Sequence, residues 1–188
     1  PYPFELTQVT LDFDLGITKT VVKAAISVTP LGKGPMRLDG EALHLNYIAL
    51  GLAGEAAKPL DPADFTMDAR GLTLHTPPTG PFLLETEVEI SPEANTALSG
   101  LYLSGGRLCT QCEAEGFRRI TYYPDRPDVM SAFRVRMVGA KADFPILLSN
   151  GTPGASGDLP GGRHYAEWID PHKKPAYLFA LCAGDYDV

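Results

Sequence analysis

The chain has 188 residues, an apolar share of 44% and a formal net charge of −7, with a pI of about 5.0. This length and apolar share suit a sizeable hydrophobic core and argue against a disordered chain. The acidic balance argues against a phosphate-binding surface, and therefore against a nucleic-acid partner. No apolar run approaches the ~20 residues of a membrane span, so we expect no membrane segment.

Alternation of apolar and polar residues at period two is the main pattern along the chain, and it predicts β-strands. The clearest examples are residues 9–15, 22–28 and 82–90. Further strands are predicted at 43–50, 72–76, 133–138, 146–149, 164–169 and 177–182. Within 82–90 the residues Glu85, Glu87 and Glu89 alternate with apolar ones, so we interpret them as one solvated strand face.

Turn-forming residues are abundant, with 19 glycines and 17 prolines scattered between these segments. Asn150-Gly151 predicts a tight hairpin turn, and the Gly/Pro-rich run 151–162 predicts a longer loop. The best helix candidate is 127–132, with Asp125 as its cap. The pattern predicts an all-β protein, either a sandwich or a strongly twisted set of sheets, with very little helix. No linker or internal repeat interrupts it, so we expect one domain over 1–188.

Complete catalytic motifs are absent from the sequence. None of the four histidines is followed by glutamate, which excludes the H-E-x-x-H motif of zinc hydrolases. The sequence also contains no G-x-S-x-G elbow, no phosphate loop and no G-x-G-x-x-G. From its own residues, the chain therefore has no complete catalytic apparatus.

The three cysteines, Cys109, Cys112 and Cys182, are expected to be reduced thiols of a cytoplasmic protein, because their number is odd and no secretion segment precedes them. The C-x-x-C spacing of the first two leaves a metal or redox site open. Two residues that are three positions apart on a strand, however, point their side chains to opposite faces. Small buried residues are therefore the favoured interpretation.

Gln111, Glu113 and Glu115 are two residues apart, so an extended chain would place all three on one face. A carboxylate beside an amide oxygen suits an ammonium group, because both are hydrogen-bond acceptors. An exposed polar strand face explains the same pattern. The residues alone leave both interpretations open.

The segment "TQCEAEGFRRITYYPDRPD" resembles the T-Q-x-E … D-x-P motif in the N-terminal domain of zinc aminopeptidases of the M1 (gluzincin) family. The segments "ISPEANTALSGLY", "LLSNG" and "KPAYLFALCAGDYDV" extend the resemblance over much of the chain. It implies a saddle-like, all-β N-terminal domain. Gln111 would line the pocket for the first side chain of a peptide, and Glu113 would hold the peptide's free α-amino group.

The same resemblance implies that zinc and the catalytic residues belong to a following catalytic domain of the same chain. We therefore expect a fragment of a monomeric, cytoplasmic aminopeptidase that by itself binds no cofactor and has no activity. Its expected partners are the N-terminus of a peptide substrate and that catalytic domain. The alternative is a free-standing β-sandwich module that binds a ligand or a protein. Such a module would need an exposed aromatic platform, for which the candidates are Tyr122, Tyr123, Trp168 and Tyr177.

Overall fold

The structure is a computed structural model that describes residues 1–52 and 54–186. Within these residues, strands dominate and helix is limited to two short 3-10 turns, Phe117–Arg119 and Ala176–Leu178. Neither turn is long or apolar enough to cross a membrane. In chain order the strands are β1 (Phe4–Asp14), β2 (Thr20–Pro30), β3 (Met36–Asp39), β4 (His44–Leu52), β5 (Lys58–Pro59), β6 (Phe65–Asp68), β7 (Gly71–Leu74), β8 (Phe82–Ile90), β9 (Gly100–Ser104), β10 (Arg107–Gln111), β11 (Met130–Ala140), β12 (Ile146–Ser149), β13 (Thr152–Leu159), β14 (Arg163–Pro175) and β15 (Leu181–Gly184). The predicted all-β class is confirmed.

The strands form three sheets. The largest has eight strands in the order β13-β14-β11-β1-β2-β8-β4-β5. A four-stranded sheet has the order β12-β15-β10-β9, and a three-stranded sheet has the order β3-β7-β6. In the largest sheet β1 pairs antiparallel with β2 and parallel with β11. This parallel pairing joins residues more than a hundred positions apart, such as Val9 and Phe133.

Period-two alternation explains how these sheets share one hydrophobic core. Every second residue of β8 is buried, from Phe82 to Ile90, and the glutamates between them are half-buried at the surface. Two of these glutamates pair with lysines of the neighbouring loop and strand, Glu89 with Lys19 and Glu87 with Lys23. The prediction of a solvated strand face is therefore confirmed.

Two turn predictions near residue 150 need correction. Gly151 has a φ of 95°, as a tight turn requires, but β12 and β13 on either side belong to different sheets, so the turn is not a hairpin. The run 151–162 contains β13, which pairs with β14. Glycine and proline are tolerated there because β13 is the edge strand of the largest sheet.

The helix predicted at 127–132 is also wrong, because the chain turns at Pro127 and Asp128 and β11 begins at Met130. Asp125 caps no helix there; its carboxylate accepts hydrogen bonds from Arg118 instead. The strand predicted at 177–182 is displaced as well. A 3-10 turn occupies Ala176–Leu178, and β15 begins only at Leu181.

Candidate functional site

The candidate site lies where β10 leaves the four-stranded sheet. β10 pairs with β9 on one side and β15 on the other, and Gln111 is its last residue. Residues 112–116 then reverse the chain, and we call residues 111–116 the 111–116 turn. The 3-10 turn Phe117–Arg119 follows directly.

Gln111 and Glu113 are brought together at the surface, although not on a strand face. Both are exposed, and the Gln111 side-chain amide donates a hydrogen bond to the main-chain carbonyl of Glu113 at 3.2 Å. The peptide bond between Glu113 and Ala114 is cis. The expectation that Gln111, Glu113 and Glu115 share one strand face is wrong, because the strand ends at Gln111.

The two carboxylates of the turn differ in their partners. Glu115 forms an ion pair with Arg118 at 3.5 Å. The Glu113 carboxylate forms no hydrogen bond or ion pair with any residue that the structure describes. Among the described residues, the oxygens of the Glu113 carboxylate therefore remain unoccupied acceptors.

Close backbone packing holds the turn in shape. The Gly116 N–H donates to the Cys112 carbonyl at 2.8 Å and closes the turn. A Cβ atom at Gly116 would lie 2.2 Å from the Gln111 main-chain oxygen, so only glycine fits. The next residue, Phe117, is fully buried and packs its ring against those of Tyr123 and Phe179, at centroid distances of 5.0 and 5.2 Å.

An ion pair between the partly buried Arg118 and the buried Asp125 anchors the far end of the turn. The Asp125 carboxylate accepts hydrogen bonds from the Arg118 main-chain N–H at 3.0 Å and from its guanidinium Nε at 3.2 Å. Burial raises the pKa of Asp125, and the hydrogen bonds from Arg118 offset this only in part. The Asp125 main-chain N–H also donates to Asp39, which ends β3 and links the turn to the three-stranded sheet. The sequence analysis did not predict this anchor, although Arg118, Arg119 and Asp125 all lie in the segment that resembles the T-Q-x-E … D-x-P motif.

The C-x-x-C cysteines occupy different environments. Cys112 is 3% exposed, and burial, with a smaller contribution from Asp125, raises the pKa of its thiol to about 12. A thiol that stays protonated at neutral pH is a poor nucleophile and a poor metal ligand, so Cys112 acts in packing as predicted. Cys109 is only half-buried, which corrects the expectation that both cysteines are buried.

The side chains that could bind a metal ion are scattered over the part of the chain that the structure describes. In residues 1–52 and 54–186, no three His, Cys, Asp or Glu side chains come together in a way that could hold a metal ion. These described residues therefore do not fit a zinc site. None of the four candidates for an aromatic platform is exposed, and Tyr177 is half-buried. Tyr122 and Tyr123 are buried, and the half-buried Trp168 donates its indole N–H to the Leu147 carbonyl at 3.0 Å.

Replacing Gly116 by alanine is expected to destabilise the protein by about 1–3 kcal/mol, because the new methyl group forces the Gln111 carbonyl away. Chemical denaturation with urea measures the change. Gly80→Ala is the matched control, since no atom lies within 4 Å of a Cβ built there. An equal loss of stability in both variants would contradict this account of the turn.

Comparison with known proteins gives the family. The model of the peptidase M1 N-terminal domain matches residues 38–178. The chain belongs to this family. The M1 N-terminal domain described here is 54% identical over its whole length to aminopeptidase N of Caulobacter vibrioides, of which it covers 21%. It is 46% identical to aminopeptidase N of Escherichia coli K12, with 98% of the chain and 21% of that protein covered.

Solved structures share the fold of this M1 N-terminal domain. Aminopeptidase A of Legionella pneumophila, in complex with aspartic acid, superposes with a TM-score of 0.91 and 31% identity over the whole chain, which covers 22% of that protein. An M1 zinc metallopeptidase of Deinococcus radiodurans, bound to a Tyr-Ser-Ala substrate, gives a TM-score of 0.80 at 14% identity and covers 97% of this chain and 42% of that one. The second likeness shows the fold alone. The chain thus spans about a fifth of the length of the curated relatives it matches.

Proposed function

We propose that this chain is the non-catalytic N-terminal domain of a zinc aminopeptidase and that Glu113 and Gln111 bind the N-terminus of its peptide substrate. Glu113 would hold the free α-amino group, and Gln111 would line the pocket for the first side chain. The exposed Glu113 carboxylate, which has no partner among the described residues, is the observation that carries this proposal.

The chemistry of the turn supports these roles. A protonated α-amino group has three N–H donors, and a carboxylate is its natural acceptor. The Gln111 side chain is held against the Glu113 backbone, and the turn beneath is fixed by Gly116 and the buried Phe117. Because the backbone at Glu113 is held in this way, the turn itself loses little conformational entropy when a ligand binds.

One exposed carboxylate is a weak anchor. An ion pair in full contact with water contributes ~1 kcal/mol or less. We therefore propose that the rest of a longer chain, which includes a zinc-binding catalytic domain, covers the 111–116 turn and adds further contacts to the amino group. Zinc would supply the activated water for peptide hydrolysis there. In this view residues 1–188 form one domain of a monomeric enzyme.

Glu113 would also select substrates with a free N-terminus. Holding the ammonium at a fixed point places the first peptide bond at a fixed distance from the catalytic centre. A peptide without a free amino group would leave the Glu113 carboxylate desolvated and unpaired, which is unfavourable. We further propose that the enzyme is cytoplasmic, in keeping with its three free cysteines.

Hydrolysis by the full-length gene product tests this function. We expect cleavage of aminoacyl amides and short peptides, and a rate at least about 10²-fold lower when the same substrates carry an N-acetyl group. Both rates are measured by chromatography as the release of free amino acids over time. Equal rates on free and acetylated substrates, or no hydrolysis of either, would contradict the proposal.

A further inference from the structure

Two cysteines face each other across the four-stranded sheet. Cys109 of β10 lies directly opposite Cys182 of β15 in the antiparallel register. Their neighbours in the same pair of strands, Leu108 and Ala183, are fully buried, whereas both cysteines are half-buried. Because side chains alternate along a strand, the two thiols lie together on the outward face of the sheet.

The register makes the two thiols cross-strand neighbours. The pKa of the Cys182 thiol is raised, chiefly by burial and next by the neighbouring Cys109. The Tyr186 hydroxyl lies 3.4 Å from the Cys109 sulfur, within hydrogen-bonding distance. Both cysteines are free thiols in this structure.

The backbone geometry of this pair suits a disulfide. At the next position along, the Thr110 hydroxyl accepts the Leu181 N–H at 2.8 Å and donates to the Leu181 carbonyl at 3.3 Å. The main-chain N–H and C=O of Leu181 therefore point toward β10. Hydrogen-bonded and non-hydrogen-bonded pairs alternate along an antiparallel pair of strands, so the adjacent pair, Cys109 with Cys182, is a non-hydrogen-bonded pair, in which the strands are closer. Directly opposed residues at such positions have Cα atoms about 4.5 Å apart, which lies within the range that disulfides span.

We propose that Cys109 and Cys182 form a dithiol that a low-molecular-weight disulfide of the glutathione class oxidises to a cross-strand disulfide. One cysteine thiolate attacks a sulfur of the small disulfide, forms a mixed disulfide and releases one small thiol. The second cysteine then attacks the protein sulfur of that mixed disulfide, forms the Cys109–Cys182 bond and releases the second small thiol. The two electrons lost by the protein thiols reduce the small disulfide, and their two protons end on the released thiols.

This modification site is independent of the proposed peptide-binding role, although the two are close. Gln111 lies two residues beyond Cys109 on the same strand. A disulfide would join the strand that carries Gln111 covalently to β15. The buried Cys112 takes no part, because its thiol lies on the core side of the chain.

Thiol mapping on the full-length gene product tests the proposal. The reduced protein is incubated with excess oxidised glutathione at mildly alkaline pH, the remaining thiols are blocked with N-ethylmaleimide in denaturant, and unreduced peptides are identified by mass spectrometry. We expect Cys109 and Cys182 to lose their maleimide label together and to appear in one linked peptide, while Cys112 remains labelled. Retention of label at both positions, or separate glutathione adducts on each, would overturn the proposal.

Two comparisons make the test specific. Cys112→Ser should leave the linked peptide unchanged, whereas Cys182→Ser should abolish it and leave Cys109 as a stable glutathione adduct. In wild-type protein oxidised in urea, where sequence distance governs pairing, Cys109 should link mainly to Cys112. Equal yields of the Cys109–Cys182 link with and without urea would show that the fold does not create the pair.

Discussion

Replacing Glu113 by alanine in the full-length gene product is expected to lower kcat/KM for aminoacyl substrates by about 10²-fold. The variant removes the only carboxylate of the 111–116 turn that lacks an ion-pair partner among the described residues. Under the proposed role, the substrate ammonium then loses its acceptor. Steady-state kinetics on a series of aminoacyl amides measures the change. We expect KM to rise most strongly, since ground-state binding of the amino group is lost.

The matched control for this variant is Glu115→Ala. Glu115 lies in the same turn and is also exposed, but its carboxylate is already paired with Arg118. The kinetic constants of this variant should stay within about twofold of wild type, because a surface ion pair contributes little. Equal losses in the two variants would mean that the turn acts through its overall charge and not through Glu113.

Replacing Phe117 by alanine is expected to destabilise the protein by about 3–5 kcal/mol. The Phe117 side chain is fully buried, and its ring contacts three other aromatic rings, those of Tyr123, Phe133 and Phe179. Removing the ring leaves a cavity beneath the 111–116 turn that the surrounding sheets cannot close. Urea unfolding of the 188-residue chain, followed by the fluorescence of its single tryptophan, Trp168, measures the loss.

Two further variants show whether the buried ring is the cause. Phe117→Leu keeps most of the buried volume and should cost less than the alanine variant. Tyr47→Ala removes an aromatic ring that is 38% exposed, so its effect should be within about 1 kcal/mol. A Phe117→Ala variant as stable as wild type would contradict the role of this residue as the anchor of the turn.

Local periodicity was sufficient to predict the most regular strands. The predicted bounds of β8 and β12 coincide with the observed ones. β8 alternates strictly, and β12 has clear turn residues at its ends. The strand β13 was missed because its composition is that of a loop, and only its position at a sheet edge makes it a strand. The parallel pairing of β1 with β11 was also beyond local reasoning, since it depends on contacts between distant segments.

The candidate site, like the fold, was predicted only in part from the local sequence. The residue types of Gln111 and Glu113 left an amine-binding pair and an exposed polar face both open, and their predicted shared strand face was wrong because the strand ends at Gln111. The brace beneath them depends on Asp39 and Asp125, which meet only in the folded chain. The pairing of Cys109 with Cys182 likewise required the strand register, because the two residues are far apart in sequence.

Glu113 is proposed to hold the α-amino group of the substrate. A crystal structure of the full-length gene product with a bound amino acid or a short peptide tests it most directly. We predict a Glu113 carboxylate oxygen about 2.7–2.9 Å from the α-amino nitrogen, with the Gln111 side chain beside the first side chain of the ligand. A bound ligand whose amino group is held entirely by other residues, with Glu113 facing solvent, would contradict the claim.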